Sequence, residues 1–105
     1  MSTFTDASNN PANPGYRLPE NTTLQHVSKL SIVEDKPIIM DYWTFSIEKT
    51  AIIGVKEDNE KLLVKNEEEY TSPISKIYKV EEEYIIMTEN SIYIVSADIP
   101  TKRVK

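Results

Sequence analysis

The chain of 105 residues has no cysteine, one histidine and two glycines. Without cysteine there are no disulfide staples, no thiolate zinc sites and no cysteine nucleophile. With only Gly15 and Gly54 there is no glycine-rich phosphate loop. Positive charge is scarce as well: twelve Lys and Arg stand against seventeen Asp and Glu, a net charge of −5. A general nucleic-acid surface needs an excess of cations to neutralise phosphates, so no direct nucleic-acid partner is expected. No run approaches the roughly 20 apolar residues of a membrane span, so no membrane partner is expected either. No basic residue precedes Arg17 and no apolar core run surrounds it, so a secretory signal is not expected. The expected location is the cytoplasm, or a virion if the protein is viral. The length allows one domain.

What is present is unevenly distributed. Residues 1–23 hold Pro11, Pro14, Pro19, four asparagines and several Ser and Thr, with no Ile or Val. Such a segment buries too little apolar surface to offset its ordering entropy, so a flexible, disordered N-terminal arm is expected. Phe4, Tyr16 and Leu18 would be its anchors if it ordered on a partner. From residue 24 to 99 the composition inverts, and all thirteen isoleucines lie between Ile32 and Ile99. β-Branched and aromatic side chains suit a pleated, half-buried surface. Strands are expected at Val27–Val33, Ile38–Trp43, Ala51–Lys56, Lys61–Lys65, Ser75–Val80, Tyr84–Thr88 and Ser91–Ser96. Single helical turns fit only Trp43–Lys49 and Asn66–Tyr70; no long helix is expected. Residues 100–105, with Lys102, Arg103 and Lys105, read as a frayed basic tail.

Seven short strands at this spacing predict an all-β fold, a small antiparallel barrel or curved β-meander. Turns are expected at 34–37, 57–60, 81–83 and 89–90, with Asn90 suited to the left-handed conformation of a tight hairpin. Gly54, inside a strand pattern, marks a bulge, a bend or a close approach.

Several strands do not alternate. Tyr84–Met87, Ile92–Val95, Leu62–Val64 and Ile52–Ile53 are apolar on both faces, whereas a half-exposed strand alternates. Either a covering segment or a partner chain must bury the second face. Acids gather at 57–60, 67–69 and 81–83. A solvated rim that blocks edge pairing is one reading of them. A negative surface that docks on a basic protein patch is the other.

No catalytic, cofactor or metal-binding set stands out. His26 is a lone imidazole without a second ligand. The loop Glu57-Asp58-Asn59-Glu60 lacks the spacing and the central glycine of a calcium loop. The densest aromatic cluster is Tyr42, Trp43 and Phe45. It either plugs the end of a barrel or anchors a partner, since Trp and Tyr carry disproportionate interface energy. The candidate partner-binding residues are therefore Tyr42, Trp43, Phe45, Glu67, Glu68, Glu69, Glu81, Glu82 and Glu83.

Tyr70-Thr71-Ser72-Pro73-Ile74, followed by Thr88-Glu89-Asn90-Ser91-Ile92-Tyr93, resembles a Thr-Ser-Pro-(Val/Ile) … Thr-x-Asn-Ser-x-Tyr pattern in small β proteins encoded by bacteria, phages and other viruses. The resemblance covers residues 70–95. It implies a compact barrel, SH3-like in size, and a microbial or viral origin, and it transfers no catalytic residue. The physics of the pattern is structural. Ser72-Pro73 breaks a strand, and Thr88 and Ser91 can bond across a turn.

The expected function is that of a non-enzymatic protein–protein interaction module, a structural or accessory protein acting through its arm and apolar strand faces, by self-association or on a foreign protein. The alternatives are an acidic inhibitor of a nucleic-acid-binding protein and a small-ligand binder that uses the barrel mouth. No cofactor is expected.

Overall fold

A computed structural model describes residues 17–104. It is mostly β, with seven strands in two mixed sheets and two helices. The elements are α1 (Asn21–Glu34), β1 (Ile38–Ile39), α2 (Asp41–Ile47), β2 (Ile52–Val55), β3 (Lys61–Val64), β4 (Ile74–Val80), β5 (Glu83–Thr88), β6 (Ile92–Ser96) and β7 (Thr101–Arg103). One sheet has the order β1-β6-β5-β4 and the other β3-β2-β7. Among the described residues the sheets do not close into a barrel.

Two of the doubly apolar strands, β5 and β6, find their explanation inside the chain. Ile86 and Val95 face one core with Tyr42, Ala51, Ile53, Leu63 and Ile99. Their strand neighbours Ile85 and Ile94 face a second core with Val27, Trp43, Met87 and Ile92. The four-stranded sheet is thus the middle layer. The three-stranded sheet covers one face through Ile53 and Leu63, and α1 covers the other through Val27, Leu24 and Leu30. Continuous apolar runs are what a sheet buried on both faces requires. These strands therefore need no partner chain to cover them.

Three expectations are corrected. The expected strand Val27–Val33 belongs to the 14-residue helix α1. Thr23, Val27 and Leu30 fall on one helical stripe, and Thr23 and Val27 are buried. Ile32 and Val33, whose β-branching suggested a strand, lie off that stripe and are 81% and 76% exposed. The expected strand Ile38–Trp43 is only two residues long before α2 begins. The supposed tail forms β7, parallel to β2, with Ile53 N–H donating to Pro100 O at 2.9 Å and Val104 N–H donating to Val55 O at 2.9 Å. The strands expected at 51–56, 61–65, 75–80, 84–88 and 91–96 are present as β2 to β6, shifted by a residue or so at their ends.

Of the arm expected over residues 1–23, residues 1–16 lie outside the described residues. Residues 21–23 open α1, and residues 17–20 pack onto the domain. The indole N–H of Trp43 donates to Arg17 O, and the Arg17 guanidinium lies 5.2 Å from the Trp43 ring centroid. Leu18 is exposed.

The turns also differ from expectation in chemistry. Left-handed backbone occurs at Asp35, Lys49, Asn59 and Glu81, and not at Asn90. The 88–91 turn is instead held by Thr88 Oγ1, which accepts from the N–H groups of Asn90 at 3.3 Å and Ser91 at 3.1 Å. Residues 66–69 form an Asx turn rather than a helical one, with Asn66 Oδ1 accepting from Glu68 N–H at 2.8 Å and Glu69 N–H at 3.0 Å.

Candidate interaction surfaces

The aromatic cluster does not face solvent. Helix α2 sits at the junction of the layers and is apolar on two sides. Tyr42 is buried in the first core, with Phe45 packed beside it; Trp43 is buried in the second core. Tyr42 meets Tyr93 edge-on, with ring centroids 5.2 Å apart and an interplanar angle of 73°. Ser46 Oγ donates to Trp43 O at 2.6 Å and accepts from Ser96 N–H at 2.9 Å, which stitches the helix to β6. Tyr42 and Trp43 are therefore core residues of this structure.

The three acidic runs do not converge on one surface. The 57–60 turn joins β2 to β3, whereas 67–69 follows the far end of β3, so the two lie at opposite ends of the three-stranded sheet. Residues 81–83 belong to the other sheet. Glu67 and Glu68 are exposed. Glu69 is exposed too, but lies 3.7 Å from Lys65 Nζ, which also binds Asp41 at 3.1 Å. The hydrogen bond that the Lys65 ammonium donates to Asp41 raises its pKa above the usual value.

Glu81 and Glu82 are exposed in the β4–β5 turn, but Glu83 is 1% exposed. Its carboxylate accepts from the Glu20 N–H at 3.0 and 3.2 Å and lies 3.5 Å from Arg17 Nη1. Glu20 is the N-cap of α1 and makes no side-chain cap bond. Glu83 thus supplies from a distant strand the negative charge that a helix N-terminus favours. A run of three glutamates hides this, because nothing in its composition marks the third as inward.

Glu83→Ala leaves the Glu20 N–H and the Arg17 guanidinium without their acceptor. It is expected to cost about 1–3 kcal/mol in urea unfolding and to alter Trp43 fluorescence through Arg17. Arg17→Ala, at a half-exposed side chain, should cost under about 1 kcal/mol. Equal small losses for both variants would contradict the capping role.

A concavity lies on the outer face of the three-stranded sheet. A cleft of about 560 Å³ is floored by Ile52, Leu62, Val64 and Val104 and rimmed by Lys56, Lys102, Asn66, Glu67 and Tyr70, with Thr50 also lining it. The register explains the floor. Ile53 pairs with Leu63 on the core face, so Ile52, opposite Val64, must point outward. Gly54 lies opposite Leu62 and Lys102. A Cβ at Gly54 would sit 3.1 Å from the methyls of both Val64 and Val104. Gly54 therefore marks a close approach, and its lack of a side chain lets the two valines fold over the sheet. Tyr70 stands at the margin, 63% exposed, held by a bridge between Val64 and Tyr70. Ile52–Ile53 and Leu62–Val64 are doubly apolar in the sequence, but which of their faces stays open depends on the strands that pair beside them.

A second open feature is the outer edge of β4, the last strand of its sheet. Ser75 to Lys79 are all exposed. His26 is exposed on α1. Among the described residues no three His, Asp or Glu side chains come together as a metal site, and no helix is long and apolar enough to cross a membrane. Comparison of the chain with protein-family models, curated proteins and solved structures finds no match in any of the three.

Proposed function

We propose that the protein is a non-enzymatic protein-interaction module whose contact surface is the outer face of the three-stranded sheet. One observation carries the reading. An antiparallel or mixed sheet with one face open to water normally presents polar side chains there. Here the outer face presents half-buried Ile52, Val64 and Val104 in a cleft around Leu62, which is itself buried. Contiguous exposed apolar surface rimmed by polar groups is the ordinary mark of a docking site. The partner places apolar side chains on this floor, and Lys56, Lys102, Asn66 and Tyr70 fix its orientation from the rim.

A small-ligand reading draws support from the volume, which lies within the roughly 300–1,000 Å³ of such sites. A charge-driven inhibitor is less favoured, because its acidic runs lie apart.

Ile52→Lys and Val64→Lys test the proposal at two half-buried side chains of the cleft floor, with the fold of each variant checked by circular dichroism. A photo-reactive amino acid in place of Tyr70, at the cleft margin, should crosslink one saturable protein partner in cells that make the protein. Either lysine variant should abolish that product. Crosslinking that persists unchanged in both variants would sink the reading, as would a thermal shift with a metabolite and no protein product at all.

A further inference from the structure

We infer that the open edge of β4 binds an extended segment of another protein whose side chains run acid–apolar–apolar–acid, in addition to the contact proposed for the other sheet. The inference stands on a different surface and does not depend on that contact.

An edge strand leaves a row of backbone N–H and C=O groups unpaired, and an added strand satisfies them. Strand β4 spans Ile74–Val80 and, among the described residues, pairs only with β5. After the irregularity between Ile74 and Lys76, the register with β5 runs without interruption from Lys76 to Val80. This stretch reads Lys76-Ile77-Tyr78-Lys79. Ile77 and Tyr78 are 36% and 37% exposed although their cross-strand partners, Ile86 and Ile85, are fully buried. Successive side chains point to opposite faces. Ile77 therefore extends the face of the first core, and Tyr78 that of the second. Among the described residues each core ends at an apolar side chain with no further strand beyond it.

Charge selects the occupant. Lys76 lies opposite Met87 and Lys79 opposite Tyr84, so neither faces an acid across the ladder. Among the described residues no carboxylate lies within 4.0 Å of either ammonium. Strand β4 contains no acidic residue. The lysines are three positions apart and hence on opposite faces, so a complementary strand needs one acid on each of its faces, three residues apart, with two apolar residues between them. Opposite charges directly across a ladder attract and like charges repel. A second copy of β4 in the same place would gather two lysines from each chain on one ribbon. The same lysines that discourage self-pairing therefore admit an acidic strand.

The test uses the full chain and two synthetic peptides, acetyl-Thr-Thr-Glu-Val-Val-Glu-Thr-Thr-amide and its counterpart with Lys in place of Glu, followed by amide chemical shifts at low salt. The acidic peptide should bind about tenfold more tightly or better, with shifts centred on residues 74–80, and its advantage should shrink as salt is added. In the double variant Lys76→Glu with Lys79→Glu, which changes only exposed side chains, the preference should invert. Equal affinity for the two peptides would overturn the inference. So would shifts centred on Ile52, Leu62 and Val64, no binding at about 1 mM peptide, or dimerisation of the unmodified protein through β4.

Discussion

Ile85→Ala and Ile86→Ala should each lower the unfolding free energy by about 2–5 kcal/mol, the usual range for deleting a buried isoleucine to alanine. Both side chains are fully buried. For a small domain with a total of about 5–15 kcal/mol, either loss removes a large share. The variants should nonetheless look different while still folded. Ile85 shares a core with Trp43 and Val27, whereas Ile86 packs with Tyr42, Ile53 and Leu63. Ile85→Ala should therefore shift the native fluorescence of Trp43, the chain's one tryptophan, and Ile86→Ala should leave it nearly unchanged. Urea titration followed by circular dichroism and by fluorescence checks both parts. Identical native spectra, or a loss below about 1 kcal/mol in either variant, would refute the placement of the sheet between two cores.

The second large effect appears at alkaline pH. Burial, with the nearby Tyr93, Asp41 and Glu69, raises the Tyr42 phenol from 10.0 to about 12. Burial raises Tyr93 as well, partly offset by its hydrogen bond with Ser91. A phenol that resists ionisation in the folded state has no effect on stability while it is neutral in both states. Below the unfolded value near 10 its contribution is constant. Between about 10 and 12 the unfolded chain loses the proton first, and stability falls until the folded phenol also ionises. Discounted for the solvent that still reaches the phenol, the drop attributable to Tyr42 is about 1–2 kcal/mol. Tyr42→Phe should match the native protein near neutrality and lose about that much less as the pH approaches 12. Denaturation series at several alkaline pH values measure the difference. Parallel pH curves for the two proteins would show that Tyr42 ionises freely.

The middle of the fold was readable in the sequence. Strands β2 to β6 announce themselves through β-branched runs between charged turns, a local signal that tertiary context did not overturn. The helices were harder. In α1 the buried stripe is thin, and the two most strand-like residues, Ile32 and Val33, belong to the exposed side. In α2 the apolar residues face two cores at once, so no single stripe of period 3.6 exists. Strand β7 has no apolar pattern at all; Thr101, Lys102 and Arg103 form a strand because β2 offers an edge. Site residues divide in the same way. The floor of the cleft was visible as surplus hydrophobicity, but its open face depends on which strand lies behind it. Glu83 was seen as charge and not as a cap, because its partner lies 63 positions away.

Strand β7 also has a consequence for the order of assembly. The β2–β3, β4–β5 and β5–β6 pairings are hairpins between neighbours in the chain. The β2–β7 pairing closes a loop around nearly all of them, and such closure carries an entropic cost that only already formed structure offsets. Lys102 and Val104, one wall of the cleft, come from this last segment. Chains in which β7 has not yet docked on β2 lack that wall and cannot offer the complete surface. On the proposed reading, a partner that needs the whole cleft would meet only molecules in which β7 is docked, so such recognition would also act as a check on maturation.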